Sequence, residues 1–264
     1  MRSGFMLAVL LCCSAAAQAA ECVKTVRWNP DRGSSALQAA GGVEPSFNRD
    51  MVVEVLRRMG CSARFVGMPW ARALIELENG KLDILPGAFE NDERKRYARF
   101  SVQVMHSPNV LFMAKSAADK YSITKLGDVT GTSLRLGFQI CVSYGQAVDK
   151  LSGDEGFKAR LVNVSSRESA WQMMALGRLD GLIADETVGL NEIRDLGLQQ
   201  AIVKTPLVVA NDASRVAFSK KSISPQFVQQ FDSAFSSMLA DGSYKKIREA
   251  YVPCAVAVEK LGCK

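Results

Sequence analysis

The sequence contains a single histidine, His106, and none of its seven cysteines form a C-x-x-C pair, so the usual zinc sites are not predicted. It lacks a G-x-S-x-G motif, and one histidine leaves little scope for a Ser-His-Asp arrangement. Neither a G-x-x-x-x-G-K-[ST] loop nor a G-x-G-x-x-G motif is present. The usual signatures of metal, acyl-transfer and nucleotide chemistry are therefore missing, and we expect no metal and no cofactor.

A strong excess of one charge is also missing. Lys and Arg number 33 against 27 Asp and Glu, which gives a formal net charge of +6. A nucleic-acid-binding face normally shows basic residues clustered with stacking aromatics, whereas the one dense basic cluster here, residues 94–99, lies directly beside the acidic segment 90–93. We expect no nucleic-acid partner.

The N-terminal segment has the three parts of a secretory signal peptide. A short basic start precedes an apolar region, residues 5–13, and mostly small residues at 15–20. We assign residues 1–19 to the signal and expect cleavage after Ala19 or one residue later, so that the mature chain begins near Glu21. Loss of the one charge in the signal lowers the formal net charge from +6 to +5.

A lipoprotein is the alternative to a cleaved signal. It would require a small residue before the modified cysteine, and none of Cys12, Cys13 and Cys22 has one. No later run approaches the about 18 consecutive apolar residues of a membrane span. We expect a soluble periplasmic protein.

Five cysteines follow the signal, and in an exported chain disulfides are the default for such residues. We predict bonds Cys22–Cys61 and Cys254–Cys263, although spacing alone leaves the connectivity open. The first bond would join the start of one strand to the residue before the next, as neighbours in a parallel sheet. Cys141 is then left over, and we interpret it as a small buried apolar residue.

Short apolar runs alternate with helices along the mature chain, which is typical of an α/β fold with crossover helices. The predicted strands are residues 23–28, 64–66, 82–85, 110–114, 134–138, 161–164, 181–184 and 216–219. The predicted helices begin after Asp50 and at Trp70, Ser143, Ser166, Glu186 and Pro225. About 244 mature residues exceed one typical domain of ~100 to 150, which favours two lobes.

Residues 69–101 are the most informative stretch. A helix beginning at Trp70 would end at Gly80, and the strand at 82–85 would be broken by Pro86 and Gly87. The acidic residues that follow are typical of a first helical turn, which would present Arg94 just past the end of a buried strand. That is a good position from which to bind a carboxylate.

Six segments follow one another along most of the mature chain. They are residues 46–51 (SFNRDM), 70–77 with 80–83 (GKLD), 93–94 with 100–101 (ER and FS), 135–137 (RLG), 177–181 (GRLDG) and 241–244 (DGSY). In this order they resemble the motifs of the family 3 extracellular solute-binding proteins, the periplasmic polar amino-acid-binding proteins of ABC importers.

The resemblance implies a two-lobed clamshell in which each lobe is a mostly parallel sheet flanked by helices. Lobe one would comprise residues 20–108 and 211–264, and lobe two residues 109–210, joined by two hinge strands. Ligand would be trapped between the lobes by hinge closure. The implied partners are a small carboxylated ligand and a cognate inner-membrane permease, and the protein would be a monomer.

The resemblance also implies that Arg94 forms a bidentate pair with a ligand carboxylate. The alternative is a surface ion pair with Asp92 or Glu90. Arg72, in the same region, could be a second anion-binding residue or an exposed charge. Gly87 lies where relatives often carry hydroxyls that hydrogen-bond the ligand, and here backbone amides would take that role.

Three more positions are implied to bind ligand. Asp185 would neutralise an α-ammonium group, or only cap the helix that follows. Ser143 would offer a hydroxyl at a helix N-terminus, or be a plain N-cap. Trp70 would supply an apolar or stacking wall, or belong to the core.

The predicted function is a periplasmic binding component of an ABC importer for a small carboxylated, amino-acid-like solute, which is not an enzyme. One alternative is a lyase on the same scaffold, as in the cyclohexadienyl dehydratases, with Glu186 or Asp185 as the general acid. A periplasmic accessory or sensor protein is another.

Overall fold

The computed structural model describes residues 22–28, 46–106 and 108–251. The signal segment 1–19, the polar insert 29–45 and the predicted Cys254–Cys263 bond lie outside these residues. Among the residues described, no helix is long and apolar enough to cross a bilayer.

Most strands are formed by the short apolar segments of the sequence. They are β1 (Cys22–Trp28), β2 (Cys61–Gly67), β3 (Ile84–Ala88), β4 (Ala98–Phe100), β5 (Met105–His106), β6 (Asn109–Ala114), β7 (Leu136–Gln139), β8 (Leu161–Val164), β9 (Gly181–Asp185), β10 (Ile202–Ala210) and β11 (Ala213–Ser219).

Six helices in the described residues begin after a side chain that accepts a hydrogen bond from their first turn, and several end within two residues of a glycine. They are α1 (Phe47–Arg58), α2 (Trp70–Asn79), α3 (Asp92–Lys95), α4 (Lys115–Ala118), α5 (Gln146–Leu151), α6 (Glu155–Lys158), α7 (Arg167–Ala175), α8 (Glu186–Asp195), α9 (Pro225–Ala240) and α10 (Ser243–Tyr251), with a 3-10 helix at Leu126–Gly131.

The strands form two sheets. The first has the order β2-β1-β3-β11-β4, with β5 also paired to β11, and the second has the order β10-β6-β9-β7-β8. Each sheet is mixed: crossover helices join its parallel strands, while β11 in the first and β6 in the second pair antiparallel with their neighbours. The α/β class is confirmed, and the sheets are mixed rather than mostly parallel because β6 and β11 run antiparallel to the strands on either side of them.

All strands of the first sheet lie in residues 22–106 and 213–219, and those of the second lie in 109–210. The chain therefore passes between the sheets twice, after β5 and after β10. At this double crossing a ring nitrogen of His106 lies 3.1 Å from the carbonyl oxygen of Asn211. The lobe boundaries predicted from the sequence, after residues 108 and 210, agree with this division of the strands between two sheets, and they remain a proposal.

The disulfide Cys22–Cys61 is confirmed. The two cysteines are directly paired across the parallel strands β1 and β2, with their Cα atoms 4.6 Å apart. The bond ties the two strands together at their first residues.

Each sheet has its own apolar core. Helix α9 packs on the first sheet through Val228, Phe231, Phe235 and Met238, which are buried, whereas Leu239 is 42% exposed. In the second, the rings of Phe112 and Trp171 meet edge to face with centroids 5.2 Å apart. A β-carbon at Gly189 would lie 2.7 Å from the Phe112 ring, so only glycine allows α8 to approach β6 this closely.

Several element boundaries differ from the prediction by a few residues, and three of the differences have a clear local cause. Pro86 and Gly87 do not end a strand but lie inside β3, because a register shift on β11 between Arg215 and Val216 accommodates the missing amide and the positive φ. Helix α1 begins at Phe47, before Asp50, because the Ser46 side chain accepts a hydrogen bond from the Arg49 amide.

The third difference concerns α5. It begins at Gln146 after Gly145, so Ser143 lies in the preceding turn and is not its N-cap. Other caps agree with the prediction: Gly80 ends α2 at φ 78°, and the Ser166 hydroxyl accepts a hydrogen bond from the Ser169 amide at the start of α7.

Candidate ligand-binding cleft

The two sheets face each other across a cavity of about 220 Å³. Its first wall is formed by the start of α1, the end of β3 and the start of α2. Its second wall is formed by the end of β7, the turn after it, and the starts of α7 and α8. Carboxyl ends of parallel strands and helix starts are where α/β sheets usually bind ligands. The volume is below the about 300–1,000 Å³ typical of pockets for drug-sized molecules.

Arg94 lines this cavity and is only 5% exposed. Asn91 caps the short helix α3 by accepting a hydrogen bond from the Arg94 amide at 2.9 Å, which fixes the backbone. The guanidinium donates to the carbonyl oxygens of Phe89, at 2.8 Å, and Cys141, at 3.2 Å.

In the described part of the chain no carboxylate oxygen lies within 4.0 Å of the Arg94 guanidinium. Glu90 pairs with Arg215 and Asp92 with Lys95, so the alternative of a surface ion pair for Arg94 is wrong. Burial lowers the pKa of the Arg94 guanidinium. A buried cation without a counter-ion is a ready site for a carboxylate.

Trp70 lies beside Arg94 in the same wall. Its indole ring is half-buried, and the guanidinium carbons of Arg27 and Arg94 lie 5.5 and 5.7 Å from the ring centroid, within cation–π range. The indole Nε1 donates to the carbonyl oxygen of Cys141 at 3.1 Å. Trp70 therefore forms part of the cavity wall and joins the two lobes.

Cys141 is exposed, so the interpretation as a buried apolar residue is wrong. Its φ of 61° places it in the left-handed region, which a non-glycine residue rarely adopts. In this conformation its carbonyl oxygen accepts hydrogen bonds from both Trp70 and Arg94 of the opposite lobe.

Asp185 lies at the end of β9 and lines the cavity. Its side chain also caps α8, because Oδ1 accepts from the Val188 amide at 2.8 Å. Among the described lining residues it is the one carboxylate. An ionised carboxylate has two oxygens and can accept more than one hydrogen bond.

Ser143 and Gly87 also line the cavity. Gly87 has φ 77°, and a β-carbon there would lie 3.1 Å from the Asn48 amide nitrogen. Arg72 does not line it: its side chain is 69% exposed and lies 3.5 Å from Glu76 in an ion pair. The prediction of a second anion-binding role for Arg72 is not supported, because successive helical positions face different directions and Arg72 points to solvent.

Arg167, which the sequence interpretation missed, also lines the cavity. It lies at the start of α7 and makes a bidentate pair with the buried Glu192, at 2.9 and 3.0 Å. Trp171 Nε1 donates to the same carboxylate at 2.8 Å. Burial alone would lower the pKa of Arg167, but the charge and hydrogen bonds of Glu192 raise it.

Other missed residues are polar side chains at the ends of elements: Asn48 and Arg49 at the start of α1, and Gln139 at the end of β7. The first two lie in segment 46–51, so that motif could have identified them. The hydroxyl of the buried Tyr144 accepts the Gln139 amide at 2.8 Å, and burial raises the pKa of Tyr144 to about 12.

Within the described residues, no group of three His, Cys, Asp or Glu side chains is placed to hold a metal ion. The cleft instead contains cationic guanidinium groups, one carboxylate and several amides. This set can bind a small molecule that carries both charges.

The sequence was compared with known families and proteins. A family model described as bacterial extracellular solute-binding proteins, family 3, matches residues 45–253. The "Probable amino-acid-binding protein YxeM" of Bacillus subtilis (strain 168) is 21% identical over 215 residues, which covers 81% of this chain and 78% of that protein.

Solved structures share the fold. A histidine kinase sensor domain with similarity to periplasmic binding proteins superposes with a TM-score of 0.74 at 17% identity, covering 88% of this chain and 97% of that one. An ancestral arginine-binding protein bound to arginine gives 0.73 at 21% identity, covering 87% and 97%.

Proposed function

The chain belongs to the bacterial extracellular solute-binding proteins of family 3, and from that premise we propose that it captures a small amino-acid-like solute between its two lobes. The ligand carboxylate pairs with Arg94 and the ammonium group with Asp185. Trp70, Ser143 and the backbone at Gly87 complete the enclosure.

The observation that carries this proposal is the burial of Arg94 in the cleft without a carboxylate partner among the described residues. A buried charge is costly unless it is paired, so a ligand carboxylate gains more here than at an exposed arginine. Asp185 on the opposite wall supplies the complementary charge. The likeness to a probable amino-acid-binding protein supports the same class of ligand.

The proposal extends to cellular context. The signal segment 1–19 exports the protein to the periplasm, and the loaded monomer delivers its cargo to an inner-membrane ABC permease. Cys22–Cys61 agrees with an oxidising compartment. N-terminal sequencing of the exported protein would test the cleavage site.

The lyase alternative lacks a specific observation in its favour. Glu186, one of its two candidate acids, forms an ion pair with Lys204 and does not line the cavity. The other candidate, Asp185, is the cap of α8.

The test is a thermal-shift screen against amino acids, dicarboxylates, polyamines and prephenate, followed by calorimetry. A ligand at 100 times its Kd should add about 2.7 kcal/mol of stability. Arg94→Ala should weaken binding of the best ligand about a hundredfold, because it removes a buried charge-assisted pair worth about 2–5 kcal/mol.

Arg72→Ala is the matched control, because it removes the same side chain type from the same region but outside the cavity. We expect it to leave affinity unchanged. Equal affinity of Arg94→Ala and the parent protein would contradict the proposed site, and turnover of prephenate would favour the lyase.

A further inference from the structure

A second pair of residues joins the lobes across the cleft, apart from the contact at Cys141. Asn191 on α8 of lobe two and Tyr251 on α10 of lobe one both line the cavity. The side-chain nitrogen of Asn191 donates a hydrogen bond to the Tyr251 carbonyl oxygen at 3.0 Å. Tyr251 is the last residue of α10, where carbonyl groups no longer find partners within the helix, so the bond from lobe two supplies one.

Tyr251 is also held to lobe one through its side chain. Its hydroxyl donates to Oδ2 of Asp50 on α1, and the other oxygen of Asp50 forms an ion pair with Arg49, which lines the cavity. Burial and the bond to Asp50 raise the pKa of Tyr251 to about 12, so the hydroxyl keeps its proton at neutral pH and remains a donor. Tyr251 thus bonds lobe two through its backbone and lobe one through its side chain.

The two helices that carry this contact are fixed within their own lobes. In lobe one, the buried Tyr244 of α10 donates its hydroxyl to the Val104 carbonyl oxygen at 2.7 Å. In lobe two, α8 is tied to α7 by the pair of Glu192 with Arg167. Partners that are already held in place lose little entropy when they bond to each other. Because these partners belong to different lobes, the bond breaks when the lobes separate.

The contact differs from the one at Cys141 in its donors. At Cys141 the donors are Trp70 and Arg94, which we assign to ligand binding, so recognition and closure use the same groups. At Tyr251 the donor is Asn191, and none of the groups that we assign to the ligand takes part. Closure at this second contact is therefore separable from recognition of the ligand.

We propose that Asn191 and Tyr251 form a latch that holds the lobes closed over a bound solute. They are positioning residues, which set how tightly solutes are held without selecting among them. The inference rests on the proposed function, in which a solute is captured between the lobes. A contact made only in the closed form changes the affinity of every solute that binds this form by the same factor, which for one hydrogen bond is about five.

The experiment measures the Kd of arginine, glutamine and glutamate by calorimetry, for the mature protein and for Asn191→Ala. These amino acids share their α-groups and differ in side-chain charge. We expect Asn191→Ala to weaken all that bind by the same factor, about fivefold, and to keep their order of affinity. Tyr251→Phe should have a smaller effect in the same direction, because the carbonyl acceptor remains. The double variant should resemble Asn191→Ala, since both substitutions act on one contact.

Two substitutions of the same residue types serve as controls. Asn163→Ala changes an exposed residue of β8, and Tyr121→Phe removes a hydroxyl that lies 2.7 Å from Ser133 Oγ on an exposed surface. Neither residue lines the cavity, so we expect both variants to keep the parent Kd values. Thermal unfolding without amino acid shows whether each variant is folded.

Small-angle X-ray scattering without amino acid measures closure directly, and the latch predicts a larger radius of gyration for Asn191→Ala than for Asn163→Ala. A folded Asn191→Ala with the parent affinities and the parent radius would overturn the inference. Weaker binding of only one amino acid would also overturn it, because Asn191 would then contact that side chain.

The two proposals fail in different ways. Loss of binding in Arg94→Ala, together with an Asn191→Ala variant like the parent in affinity and radius, would overturn the latch and leave the proposed function standing. If the parent protein binds no amino acid, the proposed function fails. The scattering comparison then decides the latch alone: a larger radius for Asn191→Ala supports it, and an equal radius overturns it.

Discussion

Arg94 and Arg167 line the same cavity from opposite lobes, and their surroundings differ. Arg167 is held by the buried carboxylate of Glu192 in a bidentate pair, whereas Arg94 donates to the carbonyl oxygens of Phe89 and Cys141 and interacts with the Tyr97 hydroxyl. The charge of Glu192 raises the pKa of Arg167, and burial lowers that of Arg94.

The difference separates a structural cation from one available to a ligand. Glu192 is part of the fold, since Trp171 also donates to it and it ties α8 to α7. Arg94 has carbonyl dipoles in place of a charge, and these stabilise a guanidinium without neutralising it. A ligand carboxylate would supply the missing counter-charge at Arg94, whereas at Arg167 it would have to compete with Glu192.

Removing the charge of Glu192 should have the largest effect on stability among the variants that test this comparison. Glu192→Gln leaves Arg167 without its counter-ion, and we expect the free energy of unfolding in urea to fall by about 3 kcal/mol. Glu155→Gln breaks the exposed pair with Lys158 and should cost less than about 0.5 kcal/mol. Similar losses for both variants would show that the Arg167 pair is not structural.

A smaller effect is expected when Arg94 is removed from the ligand-free protein. Arg94→Leu deletes a buried cation that has no carboxylate partner in the described residues, so the unfolding free energy should stay within about 1 kcal/mol of the parent value. The same variant should no longer bind the ligand. A loss as large as that of Glu192→Gln would assign Arg94 to the fold and remove the contrast.

The smallest effect on stability is expected for the substitution of Arg58, which lies outside the cleft. Arg58 pairs with Glu54 and Asp241 at 2.8 and 2.7 Å. A hydrogen bond from Arg57, with a further one from Arg58, lowers the pKa of Glu54 to about 2, and Ser243 and Arg58 lower that of Asp241 to about 2.

Because these pKa values are lower in the folded than in the unfolded chain, the pairs stabilise the fold at neutral pH. This contribution is lost as the pH falls from about 4.5 toward 2. Urea unfolding between pH 2 and 6 should show a slightly weaker acid dependence for Arg58→Ala than for the parent. The exposed Arg96→Ala should retain the parent dependence, and an unchanged dependence in Arg58→Ala would contradict the assignment.

Local signals made much of the fold predictable. A glycine after an apolar helical face and a serine cap correctly indicated the end of α2 and the start of α7, and the predicted bond between Cys22 and Cys61 correctly indicated the pairing of β1 with β2. Strand β10 was missed because Pro206 interrupts its pattern. As an edge strand paired only with β6 among the described strands, it tolerates the missing amide.

In the candidate site, a residue could be predicted from the sequence only where its own position next to a predicted strand indicated its role. Arg94 follows a buried strand, and Asp185 ends another, so both could be proposed from their positions. The pair of Arg167 and Glu192 joins residues 25 apart on two helices, and no local pattern reports such a contact. The same holds for Cys141, whose backbone carbonyl oxygen accepts hydrogen bonds from Trp70 and Arg94.

That backbone contact has a consequence for how the protein samples its conformations. The Cys141 carbonyl gives the lobes two hydrogen bonds of their own, each worth about 1 kcal/mol. A ligand that binds between the lobes therefore adds to contacts that the lobes already make with each other, and it needs a smaller difference in affinity between open and closed forms to keep them closed.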